Sequence, residues 1–159
     1  PPEERRRSAD FDAAAALAGV RQKVNYEGQA AIEFEALADS AEVGKYSLAL
    51  NQAQGGMRSG IESLVKDALA GVPISIISAR FHNGLAEALR VAVLEIKQEM
   101  GIDEVVLSGG VWQNITLLNL TLSLFNNDGF RVYIHREVPT NDGGLSLGQA
   151  AIAAMRMRG

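Results

Sequence analysis

The segment Ser108-Gly109-Gly110-Val111-Trp112-Gln113-Asn114 follows a β-branched run, Glu104-Val105-Val106-Leu107, and precedes an apolar-periodic stretch. A strand that stops at two glycines and restarts as a helix leaves backbone N–H groups bare at a helix N-terminus, where aligned peptide dipoles favour an anion. Glycines permit close approach and dihedrals that a Cβ would obstruct. A phosphate is the natural guest of such a turn, and a plain strand-to-helix turn is the bland alternative; two glycines do not separate them. Asn114 falls in the first turn of the expected helix. Its amide offers a donor and an acceptor to a phosphate or a base edge, or simply faces solvent. Ser108 adds a hydroxyl to the same cradle or satisfies the turn.

Asp142 sits in Pro139-Thr140-Asn141-Asp142-Gly143-Gly144, again after a strand and before a helix. Ligands of open α/β sheets bind outside the carboxyl ends of the strands, which puts this carboxylate at the same edge as the glycine turn. It suits a hard oxygen ligand for a metal that also meets a phosphate. It equally suits a helix cap before a Gly-Gly turn. His82 and His135 are the only histidines and form neither HxxxH nor HExxH, so this chain offers no histidine-rich metal site. His82, beside Phe81, reads as a packed histidine, and His135, at a strand end, as a neighbour of the site. No Ser-His-Asp or Cys-His arrangement is evident. Asp12 and Gly28-Gln29, taken on their own, are a helix carboxylate and a turn.

These residues need elements to hold them. The spacing predicts helices over 11–18, 30–41 and 61–69, a short edge strand over 46–50, and a glycine-bearing loop over 51–60. Pro73 opens the longest helix, to about residue 100, with Ile77, Phe81, Leu85, Leu89 and Ile96 as its buried stripe. Strand 104–107, helix 112–126, strand 131–135 and helix 145–157 follow. Strand–helix–strand order implies parallel pairing with a right-handed crossover. The fold class is therefore α/β at this end and mostly helical before it. Two parallel strands make a poor sheet alone, since parallel sheets are covered on both faces. Upstream strands or a second chain are expected to complete it.

The 159 residues suit one domain or one lobe. A net charge of −4 gives no basic footprint for nucleic acid. Residues 1–8, with Glu3-Glu4-Arg5-Arg6-Arg7, read as a disordered, solvated end, and residues 9–159 as the folded part. The absence of cysteine fits the cytoplasm, and no apolar run approaches the length of a membrane span.

The run 106–114, then Val132-Tyr133-Ile134-His135-Arg136 and Pro139-Thr140-Asn141-Asp142-Gly143-Gly144-Leu145-Ser146-Leu147-Gly148-Gln149-Ala150, resembles the C-terminal region of the HypF family. Tyr26-Glu27-Gly28-Gln29-Ala30-Ala31-Ile32-Glu33 and Ala79-Arg80-Phe81-His82 resemble HypF stretches in the same order. The resemblance covers about residues 9–155. It implies the C-terminal lobe of an actin-like, two-lobed nucleotide-binding fold shared with TsaD, which modifies tRNA. It also implies a carbamoyltransferase of nickel–iron hydrogenase maturation, which uses carbamoyl phosphate and ATP. A YrdC-like part makes carbamoyl-adenylate, and the TsaD-like part passes the carbamoyl group to the C-terminal cysteine of HypE.

Carried over by position, the resemblance makes Gly109, Gly110 and Asn114 nucleotide contacts, with Ser108 beside them. It makes Asp12 the carboxylate that holds ribose hydroxyls and Gly28 with Gln29 an adjacent nucleotide-contacting turn. Asp142 matches a ligand of one divalent metal, zinc or iron, whose two histidines belong to an upstream HxxxH segment. The family's Gly-Arg-Leu before Phe-Asp is replaced here by Ser8-Ala9-Asp10. The competing readings are a related carbamoyltransferase acting on a hydroxylated small molecule or on tRNA, and a nucleotide-binding module without catalysis.

Overall fold

A computed structural model describes residues 4–50 and 56–157, apart from the side chains of residues 4–9 and of residue 142. The elements are α1 (Glu4–Leu17), α2 (Gln29–Ala36), α3 (Arg58–Leu69), α4 (Ile74–Met100), β1 (Glu104–Leu107), α5 (Ile115–Asn127), β2 (Arg131–Ile134) and α6 (Leu145–Arg156). Helix α1 begins at Glu4, so the charged run expected as a loose end is helical from there on. Half of the loop expected over 51–60, residues 51–55, lies outside the described residues, and α3 already begins at Arg58 inside the other half. Among those residues, no helix is long and apolar enough to cross a membrane.

β1 and β2 pair in parallel, from Glu104 opposite Arg131 to Leu107 opposite Ile134, with α5 as the crossover. Side chains alternate across a strand. Val105, Leu107, Val132 and Ile134 face the helices. Val106 and Tyr133 face outward as a registered pair, 69% and 51% exposed. Beside them Glu104 accepts from the Tyr133 hydroxyl at 3.1 Å and pairs with Arg131 at 3.1 Å. The outer face is therefore part apolar and part ion pair. None of the side chains described in α6 is buried.

The core lies on the helical side. Phe11, Phe34, Phe81 and His82 form one aromatic cluster, with Phe11 5.3 Å from Phe81 edge-on and 5.2 Å from His82. Fully buried Ala14 and Ala15 keep side-chain bulk out of that packing. On α4, Ile77 and Phe81 are buried and Leu85 and Leu89 partly so, as the stripe predicts. Ile96 is 44% exposed, because the core covers the first half of this helix and the second half emerges from it. Arg90 anchors α4 to the end of α5 by a two-pronged pair with Asp128 (2.5 and 2.9 Å). That guanidinium holds the Asp128 carboxyl below the usual carboxylate range.

Residues 46–50 are not an edge strand. Tyr46 and Leu48 do alternate inward, but their partners are helices. The Tyr46 N–H donates to the Arg80 carbonyl at 3.1 Å, and its hydroxyl donates to Asp67 at 2.8 Å. Asn83 donates to the Glu42 and Gly44 carbonyls, and Arg80 binds Asp67 at 2.9 Å. The segment is a polar strap along α3 and α4. It runs so close that a Cβ on Gly84 would lie 2.4 Å from the Tyr46 carbonyl oxygen.

His82 is fully buried. Its Nδ1 lies 2.8 Å from the Ser78 carbonyl and its Nε2 lies 2.9 Å from Nδ2 of Asn114. Burial pushes its pKa below the ordinary histidine value, against the smaller opposing effects of the Ser78 carbonyl and the Glu35 charge. The unfolded chain takes up a proton near pH 6.5 that the folded chain refuses. Stability is therefore complete above that pH and falls as pH drops toward the folded value, by up to about 1.4 kcal/mol per pH unit. In urea unfolding, His82→Gln, which keeps an acceptor for Asn114 and cannot titrate, should remove this acid-side loss; an unchanged pH profile would show that another group causes it. Gly84→Ala should destabilise by about 1–3 kcal/mol in the same assay, because backbone rather than a pliable side chain blocks the added carbon.

Candidate nucleotide-contacting turn

β1 delivers the chain to Ser108 and then to Gly109, whose φ of +104° is a conformation that L side chains rarely adopt. The Gly109 N–H donates to the Thr140 carbonyl at 3.0 Å, so the loops that leave β1 and β2 are tied together. Gly110 lies close to the second loop: a Cβ added there would come within 3.9 Å of the Asn141 Cβ. Ser108 Oγ lies 2.9 Å from Nε2 of His135 across the same two loops. The carboxyl edge expected to gather Ser108, Gly109, Gly110 and the 139–144 segment does gather their backbones.

The single helix expected over 112–126 is in two pieces. Gly110–Gln113 is a 3-10 turn, Asn114 is extended (φ −73°, ψ 101°), and α5 starts at Ile115. The cause is Asn114 itself. Its Oδ1 accepts from the Leu117 N–H at 2.8 Å, a standard N-cap bond that needs a non-helical residue at that position. Its Nδ2 faces His82. Both ends of the amide are thus committed within the protein.

The Thr116 and Leu117 donors of α5 are committed as well. The Thr116 N–H donates to Glu35 Oε1 at 2.9 Å, so a carboxylate from α2 already sits at the helix N-terminus expected to be bare. Outside these bonds stand the opening donors of the 3-10 turn. Its first i→i+3 bond is Trp112 N–H to the Gly109 carbonyl, which leaves Gly110 and Val111 N–H ahead of it. Glu35 had no local signal in the sequence, since its partner is 81 positions away.

Helix α1, which carries Asp12, packs against the Gly110–Gln113 turn. One Asp12 carboxyl oxygen is buried without a hydrogen-bond partner among the described residues. Such an oxygen costs free energy until a donor reaches it. Gly28 is the left-handed residue (φ +78°) before α2. Buried Gln29 accepts from the Asn25 N–H at 2.8 Å and donates to Glu33 at 3.0 Å, and Glu33 in turn binds Arg21 at 2.7 Å. The Gln29 amide is thus locked into its own loop.

The backbone of Asp142 lies in a 3-10 turn, Asp142–Gly144, while its side chain lies outside the description. The side-chain turn is made by its neighbour: Asn141 Oδ1 accepts from the Gly143 N–H at 3.0 Å. Among the described residues, no three His, Asp or Glu side chains gather as they would around a metal.

Residues 10–149 match the family model for the carbamoyltransferase Kae1-like domain, second subdomain. The chain is similar to carbamoyltransferase HypF of Synechocystis sp., at 34% identity over 142 residues, covering 87% of this chain and 18% of that protein. It is 36% identical over 146 residues to HypF of Rhizobium leguminosarum bv. viciae, covering 90% of this chain and 19% of that one. It also resembles a crystal structure of full-length HypF in a phosphate- and nucleotide-bound form. There the TM-score is 0.76 and the identity 40%, over 94% of this chain and 20% of that one. The chain thus spans about a fifth of the length of these relatives. Its helical body and parallel β1–α5–β2 unit match the fold of that HypF region, the expected α/β lobe. By sequence match and fold together, this chain belongs to the HypF carbamoyltransferase family, as the second subdomain of its Kae1-like domain.

Proposed function

We propose that this chain is the nucleotide-contacting lobe of a carbamoyltransferase. The reaction moves a carbamoyl group from ATP-derived carbamoyl-adenylate to the C-terminal cysteine of HypE during nickel–iron hydrogenase maturation. The observation that carries the reading is the joining of the Gly109–Gly110 turn to the 139–144 loop, through Gly109 N–H and the Thr140 carbonyl, in a HypF-family chain. The phosphate and nucleotide described for the similar HypF structure support a phosphate guest.

In this reading Gly110 and Val111 N–H groups, with the Ser108 hydroxyl, hold the adenylate phosphate. The free Asp12 oxygen accepts from a ribose hydroxyl, and that orphaned atom is what supports its role. Asn114 keeps the 3-10 turn in shape by capping α5, and Gly28 with Gln29 shapes the neighbouring loop. Attack of the cysteine thiolate forms a C–S bond at the carbamoyl carbon. The C–O bond to the adenylate breaks and AMP leaves with its electron pair. The chain contributes placement, which turns an encounter into a near-unimolecular step. Each charge-assisted hydrogen bond to the phosphate contributes ~1.5–3 kcal/mol.

Asp142 is the proposed ligand from this lobe to one divalent metal, zinc or iron, with the remaining ligands in the upstream part of the same polypeptide. A metal there would supply Lewis acidity to the carbonyl or neutralise phosphate charge. The described residues do not make a metal site by themselves, so no step is derived through it. The outward pair Val106 and Tyr133 supports an upstream partner for the sheet. An acidic chain without a basic footprint supports a reaction without nucleic acid, and the proposed location is the cytoplasm.

In the full protein, Gly110→Val should weaken AMP binding by at least about tenfold, since a branched side chain obstructs approach to the turn and one charge-assisted bond is worth that much. Calorimetry giving wild-type affinity would remove the turn from the site. Asp142→Ala should abolish carbamoyl transfer to the acceptor cysteine while leaving the far-UV circular dichroism unchanged. Undiminished transfer, followed by mass spectrometry of the acceptor, would take Asp142 out of the metal shell.

A further inference from the structure

A phosphate brings several acceptor oxygens, and most backbone donors near the glycine turn are already used. Thr116 and Leu117 N–H serve Glu35 and Asn114, and Gly109 N–H serves Thr140. Gly110 and Val111 N–H open the 3-10 turn, and a side-chain donor beside them would meet a further phosphate oxygen. Ser108 is exposed and immediately precedes Gly109, and its Oγ lies 2.9 Å from Nε2 of half-buried His135.

A serine hydroxyl has one proton. If that proton points at His135, the lone pairs of Oγ face the ligand and repel its phosphate oxygens. If His135 carries its own proton on Nε2 and donates to Oγ, the Ser108 proton is free for the phosphate. A neutral imidazole with the proton on Nε2 is sufficient, so the arrangement needs no added charge.

We propose that His135 is a positioning residue for phosphate recognition: its Nε2–H orients the Ser108 hydroxyl to donate to an oxygen of the nucleotide phosphate at Gly110 and Val111. This rests on the nucleotide reading of the turn given above. It goes further by assigning His135, which otherwise has no role, and by fixing the direction of both protons.

The test titrates AMP and adenosine into the full protein. Ser108→Ala and His135→Ala should each weaken AMP binding about tenfold, the worth of one hydrogen bond to a charged group. The double variant should lose no more than either single one, because both act on one contact. His135→Gln, whose amide N–H can still donate to Oγ, should recover part of the loss. Adenosine, which has no phosphate, should bind all variants alike, and AMP should drive the imidazole 15N shifts of His135 toward the Nε2–H form. Equal AMP affinity in wild type and His135→Ala overturns the proposal alone. So do additive losses in the double variant, or an adenosine loss as large as that for AMP, which would make the pair a mere strut. A wild-type protein that binds no AMP overturns this proposal and the nucleotide reading together.

Discussion

The amide of Asn114 joins the helical body to the α/β unit, and the proton arrangement of the core follows from it. Leu117 N–H can only donate, so Asn114 must present Oδ1 to it and Nδ2 to the other side. His82 must then accept at Nε2, which places its proton on Nδ1, facing the Ser78 carbonyl. The Ser78 hydroxyl passes on to the Phe34 carbonyl. A single donor at the start of α5 thereby fixes a tautomer in α4 and a bond to α2. Burial makes the arrangement strict: a reversed amide would set two acceptors face to face where no water can compensate. The aromatic rings around His82 exclude that water.

The same junction reshapes the candidate site. A helix N-terminus carries about half a positive charge, and α5 meets it with the Glu35 carboxylate and the Asn114 cap. A ligand phosphate therefore gains little from the α5 dipole, since a protein anion already occupies it. In the proposed reading the phosphate meets the separate 3-10 turn, held off the helix by the extended Asn114. Gly109 fits that geometry because its positive φ lets the chain turn while its N–H reaches Thr140. The two loops thus behave as one piece, positioned by β1 and β2 but closed by a bond outside the sheet.

Local signals made much of this legible. The β-branched runs of β1 and β2, the Pro73 opening of α4 and the glycine turn follow from propensity and spacing, and their bounds differ by only a few residues. Contacts distant in sequence were not legible. Glu35 carries no mark of its bond to Thr116, and the alternation of Tyr46 and Leu48 is real although its partners are helices. Period two shows that a segment has an inside and an outside; it does not say what lies there. The split at Asn114 was readable in principle, since asparagine favours an N-cap over a helix interior, but apolar periodicity on both sides masked it.

The two sides of the molecule bear different loads. Towards α1, α2 and α4 the chain closes a core of aromatics and alanines around a satisfied polar relay. On the outer sheet face Val106 and Tyr133 are exposed, and separately so are Leu145, Leu147, Ile152 and Met155 of α6. Parallel strands are ordinarily buried on both faces, so this face holds its shape with half the packing that such strands use. The loops of the candidate site spring from the carboxyl ends of those strands. Their inner anchors are firm: Leu107 is buried, Gly109 is bonded to Thr140, and Asn114 is bonded to His82. In the proposed reading their outer support is the upstream part that would pack on Val106 and Tyr133. Precision in placing a phosphate oxygen depends on both supports, because a displacement of about 1 Å can cost a hundredfold in rate. The geometry of the turn is therefore set within this chain, while in the proposed reading its rigidity also depends on the upstream part that would cover this face.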